Sequence, residues 1–85
     1  MNKIEWTSRA RKQLKRVPQM YQLLIVDAVD SLTQPAEHWH NVVSLKQHRY
    51  DYRMRVGRYR VLFDFDGKPK IVGIQEVKKR DERTY

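Results

Sequence analysis

The chain has 85 residues, of which 40% are hydrophobic and 33% charged, a length and composition typical of one globular domain spanning residues 1–85. Lysine and arginine outnumber the acidic residues by 18 to 10, and the formal net charge of +8 predicts an anionic partner: nucleic acid, an acidic protein or an anionic membrane surface. The absence of cysteine excludes disulfides and thiolate metal sites. No apolar run approaches the roughly 18 residues of a membrane span, which favours a cytoplasmic protein.

The first half of the chain predicts one strand and two helices. Residues 3–7 alternate between apolar and polar side chains, which predicts a short strand. Residues 7–17 begin with a Thr-Ser cap and carry apolar residues at helical spacing, which predicts a short and very basic helix. Residues 18–34 predict a second helix that ends before Pro35. Its expected buried face consists of Tyr21, Leu24, Ile25, Ala28 and Leu32.

In the second half the apolar period changes from about 3.6 to 2, which indicates strands. Four are predicted, over residues 42–46, 50–56, 58–65 and 70–78, after a polar and aromatic loop at 37–41. The Asp-Gly pair at 66–67 predicts a hairpin turn between the last two strands. This order of elements predicts an α+β fold, in which an antiparallel sheet with an N-terminal strand packs one face against a helical hairpin. No parallel crossover is required.

Four arginines lie within residues 53–60, and strand alternation places them on the face opposite the apolar residues. On paired strands such side chains lie about 5 Å apart, where like charges destabilise the sheet by up to about 1 kcal/mol. The planar guanidinium binds phosphate through two parallel hydrogen bonds and stays charged at cellular pH. The cluster of Arg53, Arg55, Arg58 and Arg60 therefore predicts a polyanion site.

The stretch SLKQHRYDYRMRVGRYRVLFDF, residues 44–65, and the basic tail VKKRDERTY, residues 77–85, resemble the RelE/ParE superfamily of bacterial toxins from type II toxin–antitoxin systems. The motif YRxRVGxYRVLF and a basic segment ending in tyrosine recur there in this order. The resemblance extends over essentially the whole chain. For the RelE branch it implies a metal-independent endoribonuclease, an mRNA interferase that cuts mRNA on the ribosome, and for the ParE branch an inhibitor of DNA gyrase.

The resemblance also implies site residues. Arg53 and Arg55 occupy the positions of strand lysines in RelE-type enzymes, Arg60 matches a phosphate-binding arginine, and Tyr85 matches the tyrosine near the C-terminus. The basic residue that acts on the leaving group corresponds to Lys79 or Arg80, and less well to Arg83. The predicted catalytic residues are therefore Arg53, Arg55, Arg60, Lys79, Arg80 and Tyr85, and the predicted RNA-binding residues are Lys46, His48, Arg58, Lys78 and Arg83.

The sequence does not identify the group that removes the proton from the 2′-OH of the RNA. Arginine is a poor base because its pKa lies above about 12, which leaves Lys46, Lys78, Lys79 and His48 as candidates. The pair His38 and His40 has no third ligand at a recognisable zinc spacing, so no metal site is predicted.

The sequence thus predicts a type II toxin that cleaves mRNA and so blocks translation. The expected partners are a cognate antitoxin, mRNA and the ribosome, with no cofactor and no membrane. The alternatives are a ParE-type gyrase inhibitor and a nuclease-dead RNA-binding regulator.

Overall fold

The computed structural model describes residues 1–80. Short 3-10 helices over Ser31–Thr33 and Ala36–His38 connect the helices to the second strand. All the predicted helices and strands are present, with ends shifted by a few residues. In chain order they are β1 (Lys3–Trp6), α1 (Ser8–Lys15), α2 (Gln19–Asp30), β2 (Val42–Ser44), β3 (Tyr52–Val56), β4 (Tyr59–Asp64) and β5 (Ile71–Lys79).

The five strands form one sheet in the order β1-β5-β4-β3-β2. Strands β2 to β5 are antiparallel neighbours, as the sequence predicts. The exception is β1, which pairs in parallel with β5, so that Ile4 lies beside Val72. The fold is therefore α+β with a mixed sheet. The expectation that no strand pair is parallel is wrong for this pair, because alternation fixes which face a residue occupies but not the direction of its neighbouring strand.

The core lies between the helices and one face of the sheet. Helix α2 contributes Ile25 and Val29, which are both fully buried. Leu24, predicted on the buried face, is 52% exposed. It lies about 100° around the helix from Ile25, and the buried stripe passes through Tyr21, Ile25, Ala28 and Leu32.

The connection from β4 to β5 runs through residues 65–70, which is longer than a two-residue hairpin turn. Gly67 adopts φ +83°, a left-handed conformation that glycine accepts without strain and that accounts for the Asp-Gly pair. The predicted loop at 37–41 is anchored by Trp39, whose indole N–H donates to the Gln34 carbonyl at 2.9 Å. The Trp39 ring packs edge-on against Phe63.

One extra residue in β5, Gln75, interrupts its pairing with β4: Phe63 pairs with Ile74, whereas Leu62 pairs with Glu76. Helix α1 covers the edge of β5 at this bulge. The Thr7 hydroxyl donates to the Gln75 carbonyl at 3.3 Å, and the Val77 N–H donates to the Gln13 side chain at 2.7 Å. These contacts satisfy backbone groups that β1 does not reach.

Candidate functional site

Three basic side chains lie next to one another across three strands, on the face of the sheet opposite the helices. Arg55 on β3 pairs in register with Arg60 on β4, which pairs with Lys78 on β5. We call these residues the cationic row. Neighbouring members lie about 5 Å apart, a spacing at which like charges repel. No salt bridge joins Arg55 or Arg60 to any residue within 1–80, so this part of the row presents its charge to solvent.

Arg53 extends the basic surface towards β2. It points to the same face as Arg55, and its register partner on β4 is Leu62. Arg53 and Arg55 line a shallow concavity of about 240 Å³ together with Asn41, Val42 and Val43. The predicted open arginine face is present, and it carries three of the four arginines on its strands. Arg58 lies instead in the turn between β3 and β4 and is exposed.

The bulge at Gln75 decides which lysine joins the row. Simple alternation from Ile74 would point Lys78 towards the helices. The extra residue inverts the phase, so that Val77 is buried and Lys78 lies beside Arg60. Lys79 pairs with Tyr59 and lies on the helix side, where it lines a concavity of about 410 Å³. The structure therefore separates Lys79 from the arginines with which it was predicted to act.

A buried carboxylate lies beside the row. Glu76 is 7% exposed, and its Oε2 accepts a hydrogen bond from the Tyr50 hydroxyl at 2.7 Å. Its Oε1 lies 3.7 Å from Lys78 Nζ, and its Oε2 lies 3.9 Å from Arg9 Nη1. Burial alone would raise the pKa of Glu76, but the hydrogen bonds from Tyr50 and Gln13 and the charges of Lys78 and Arg9 outweigh it and hold that pKa below its ordinary value.

Tyr50 lies buried in the segment between β2 and β3, whereas the two predicted site residues of this segment, Lys46 and His48, are exposed. Its hydrogen bond to Glu76, then its burial and the negative charge of Glu76, raise the pKa of Tyr50. The Tyr50 N–H donates to His48 Nδ1 at 3.1 Å. This contact engages one ring nitrogen of His48, and its roles as a base and an RNA-binding residue stay predictions. Lys46 is exposed on the same segment.

The remaining predicted residues lie at the end of β5 or beyond it. Arg80 is exposed, and its backbone N–H donates to the Arg58 carbonyl at 2.6 Å, which ties the end of β5 to the turn before β4. Arg83 and Tyr85 lie outside the described residues, so their predicted roles stay predictions.

Glu76, Tyr50 and Arg9 contact one another beside the row but are not among the site residues predicted from the sequence. Plain alternation places Glu76 on the face of Ile74 and hides its contact with the arginine face. The one sequence feature that pointed to Glu76 was a single acidic residue within an otherwise basic strand end, residues 75–80, with the sequence QEVKKR.

Within residues 1–80, no group of three or more His, Asp or Glu side chains is placed to hold a metal ion. No helix in that range is long and apolar enough to cross a membrane.

The chain matches one known protein family over nearly its whole length. A family model described as the ParE toxin of the type II toxin–antitoxin system parDE matches residues 4–84. The chain therefore belongs to the ParE toxin family, and its predicted membership of the RelE/ParE superfamily is confirmed. No curated protein sequence matches it significantly.

Solved structures of RelE toxins share the fold. RelE in the archaeal RelE–RelB complex from Pyrococcus horikoshii OT3 superposes with a TM-score of 0.79 and 24% identity, covering 95% of this chain and 97% of that chain. The RelBE2 toxin–antitoxin complex from Mycobacterium tuberculosis gives 0.77 and 23%, with 93% and 98% covered. The isolated Escherichia coli RelE toxin gives 0.74 and 17%, with 99% and 89% covered.

Proposed function

We propose that this toxin is a metal-independent endoribonuclease that cleaves mRNA, in association with the ribosome, and so inhibits translation in the cytoplasm. The observation that supports the proposal most directly is the cationic row. It gives three adjacent positive side chains on an open sheet face, where an RNA phosphate can approach without displacing a helix. The fold shared with RelE toxins is a second support.

Cleavage of RNA without a metal requires three things of the protein. The 2′-oxygen attacks the neighbouring phosphorus while its proton is removed, and the P–O5′ bond breaks to leave a 2′,3′-cyclic phosphate and a 5′-hydroxyl. Cations must stabilise the charge that builds on the phosphoryl oxygens, and a donor must protonate the departing 5′-oxygen. We assign the charge-stabilising role to Arg55 and Arg60, with Arg53 binding the neighbouring phosphate.

Lys78 is our candidate for the donor to the leaving oxygen, in place of Lys79 or Arg80. It is the lysine of the tail that lies in register with Arg60. Glu76 Oε1 lies 3.7 Å from its amine nitrogen, which favours a position of the amine beside Arg60.

The proposed protein partner is a cognate antitoxin, as expected for a toxin of this family and as found in the RelE–RelB and RelBE2 complexes that share its fold. An acidic or amphipathic segment of that antitoxin would complement the net charge of +8. Covering the cationic row would then block access of mRNA.

Brief induction of the toxin in a bacterial host tests this function. We expect protein synthesis, measured by pulse labelling, to fall first, and primer extension to map new mRNA 5′ ends within translated codons.

The match to the ParE family supports a second candidate, inhibition of DNA gyrase. Intact mRNA together with an early fall in DNA synthesis and trapped gyrase–DNA complexes would favour that candidate. RNA binding without cleavage or trapped gyrase would favour a nuclease-dead regulator.

Replacing Arg60 separates a catalytic role from a structural one. Arg60→Ala should leave the melting temperature unchanged or slightly raised, because it relieves repulsion from Arg55. Single-turnover cleavage of mRNA on programmed ribosomes should slow by about 10²–10³, as is typical when one donor to a developing oxyanion is lost. Arg60→Lys should recover only part of the rate because a point charge lacks the planar fork. Arg11→Ala, on the exposed surface of α1, is the control. A folded Arg60→Ala protein that cleaves at the wild-type rate would contradict the assignment.

A further inference from the structure

Tyr50 crosses the open face of the sheet beside the cationic row. It lies two residues before β3, yet its hydroxyl reaches Glu76 on β5. Its ring must therefore pass over β4, which lies between those strands. The β4 residue in register with Glu76 is Leu62, which is 6% exposed although it points away from the helices. The Glu76 carboxylate that the Tyr50 hydroxyl reaches is one side-chain position, about 7 Å along the strand, from the row.

The Glu76 carboxylate divides its two oxygens between different partners. Oε2 accepts the Tyr50 hydrogen bond, which fixes the plane of the carboxylate, and Oε1 lies 3.7 Å from Lys78 Nζ. Lysine has a flexible four-carbon stem and here has two arginines on one side, so it would otherwise move away from them. A fixed anion two residues earlier on the same strand attracts the amine and counters this repulsion, which keeps it in the row next to Arg60.

We propose that Tyr50 and Glu76 are positioning residues that hold the Lys78 amine at the scissile phosphate of RNA. This inference rests on the proposed nuclease function and deepens it, because it assigns to two residues outside the arginine cluster the placement of one reactive group. Neither residue touches the RNA. Tyr50 orients Glu76, and Glu76 orients Lys78.

Two substitutions remove different contacts in this series: one removes the hydrogen bond from Tyr50 to Glu76, and the other removes the charge that attracts Lys78. Tyr50→Phe keeps the buried ring and removes the hydrogen bond to Glu76. Glu76→Gln keeps a hydrogen-bond acceptor for Tyr50 and removes the charge that holds Lys78. Each should lower the cleavage rate at saturating RNA by about tenfold to a hundredfold, the range typical when a reacting group is misplaced by about 1 Å, with a smaller change in KM.

Tyr52→Phe is the matched control, because Tyr52 lies on the helix side of β3 and its hydroxyl forms no hydrogen bond within the described residues. It should cleave at the wild-type rate.

The decisive measurement is a double-mutant cycle with Lys78→Ala. If Tyr50 acts through Glu76 on Lys78, Tyr50→Phe slows the wild-type protein but has no further effect once Lys78 is absent. The same four proteins are then compared by their affinity for an RNA oligonucleotide with a 2′-deoxy residue at the cleavage site. This oligonucleotide lacks the attacking hydroxyl, so it can bind but cannot be cut. Multiplicative effects of the two substitutions in both measurements would overturn the inference while leaving the nuclease function intact. A wild-type protein that neither binds nor cleaves RNA would overturn the proposed function, and this inference with it.

Discussion

At the scale of single residues, the positions of the arginines on the sheet could be predicted from the sequence, but the position of Glu76 beside them could not. Arg53, Arg55 and Arg60 are each flanked along their own strands by apolar residues, so strand alternation alone predicts their place on the open face. Glu76 follows an extra residue in β5, and a change of phase by one position moves every later side chain to the other face. The bulge leaves no composition signal of its own in QEVKK, so the sequence did not reveal that Glu76 and Lys78 share a face with the arginines.

Glu76 should make folding stability depend on pH in the acid range. Its pKa in the folded protein lies below the ordinary value of 4.5, so the unfolded chain binds the proton more tightly. The stabilisation is therefore complete above about pH 4.5 and is lost as the pH falls through the lowered pKa. Urea unfolding at about pH 7 should show Glu76→Gln less stable than wild type by about 1–3 kcal/mol, the usual worth of hydrogen bonds to a charged group. This difference should shrink at about pH 3.

Glu5→Gln provides the control for this titration, because Glu5 is an exposed residue of β1 that forms a surface salt bridge with Lys3. Its stability should follow that of the wild type across the whole range. A gap between Glu76→Gln and wild type that stays constant with pH would show that the folded protein does not depress the pKa of Glu76.

At the scale of elements, periodicity predicted the existence and type of each helix and strand better than the face each one buries. Helix α2 is the clearest case, since its sequence QMYQLLIVDAVD has apolar residues around most of its circumference. Several faces then satisfy a helical period, and only packing against the sheet selects the stripe through Ile25 and Val29. Met20, Leu23 and Leu24 remain exposed on the outside of this helix.

Two neighbouring positions of α2 test this assignment. Ile25→Ala should reduce the free energy of unfolding by about 2–5 kcal/mol, because it opens a cavity at a fully buried position. Leu24→Ala should change it by no more than about 1 kcal/mol, because half of this side chain is already in water and alanine is the better helix former. Urea denaturation of both variants gives the comparison. Equal losses would place Leu24 in the core.

At the scale of the whole molecule, most of the net charge lies in the second half of the chain, where residues 46–85 contain twelve basic and six acidic residues. The fold directs part of that charge to one side of the sheet by keeping both helices on the other. The parallel pairing of β1 with β5 could not be predicted, because it brings together the first and last strands within residues 1–80, and no local pattern encodes that neighbour. It nevertheless brings α1 along the edge of β5, where Thr7 and Gln13 hold the bulge that presents Lys78.

Salt dependence separates binding by this local surface from binding by overall charge. If the row contacts RNA phosphates, the logarithm of affinity for a single-stranded oligonucleotide should fall with the logarithm of salt concentration, with a slope near −0.7 for each phosphate contacted. Arg55→Ala and Lys12→Ala each remove one positive charge from the same total, but Arg55 lies in the row and Lys12 on the exposed surface of α1. Arg55→Ala should make the slope shallower by about 0.7, while Lys12→Ala should leave it unchanged. Fluorescence anisotropy over a series of salt concentrations measures both slopes. If the two variants shift the slope equally, RNA responds to the net charge of the molecule and the cationic row is not its binding site.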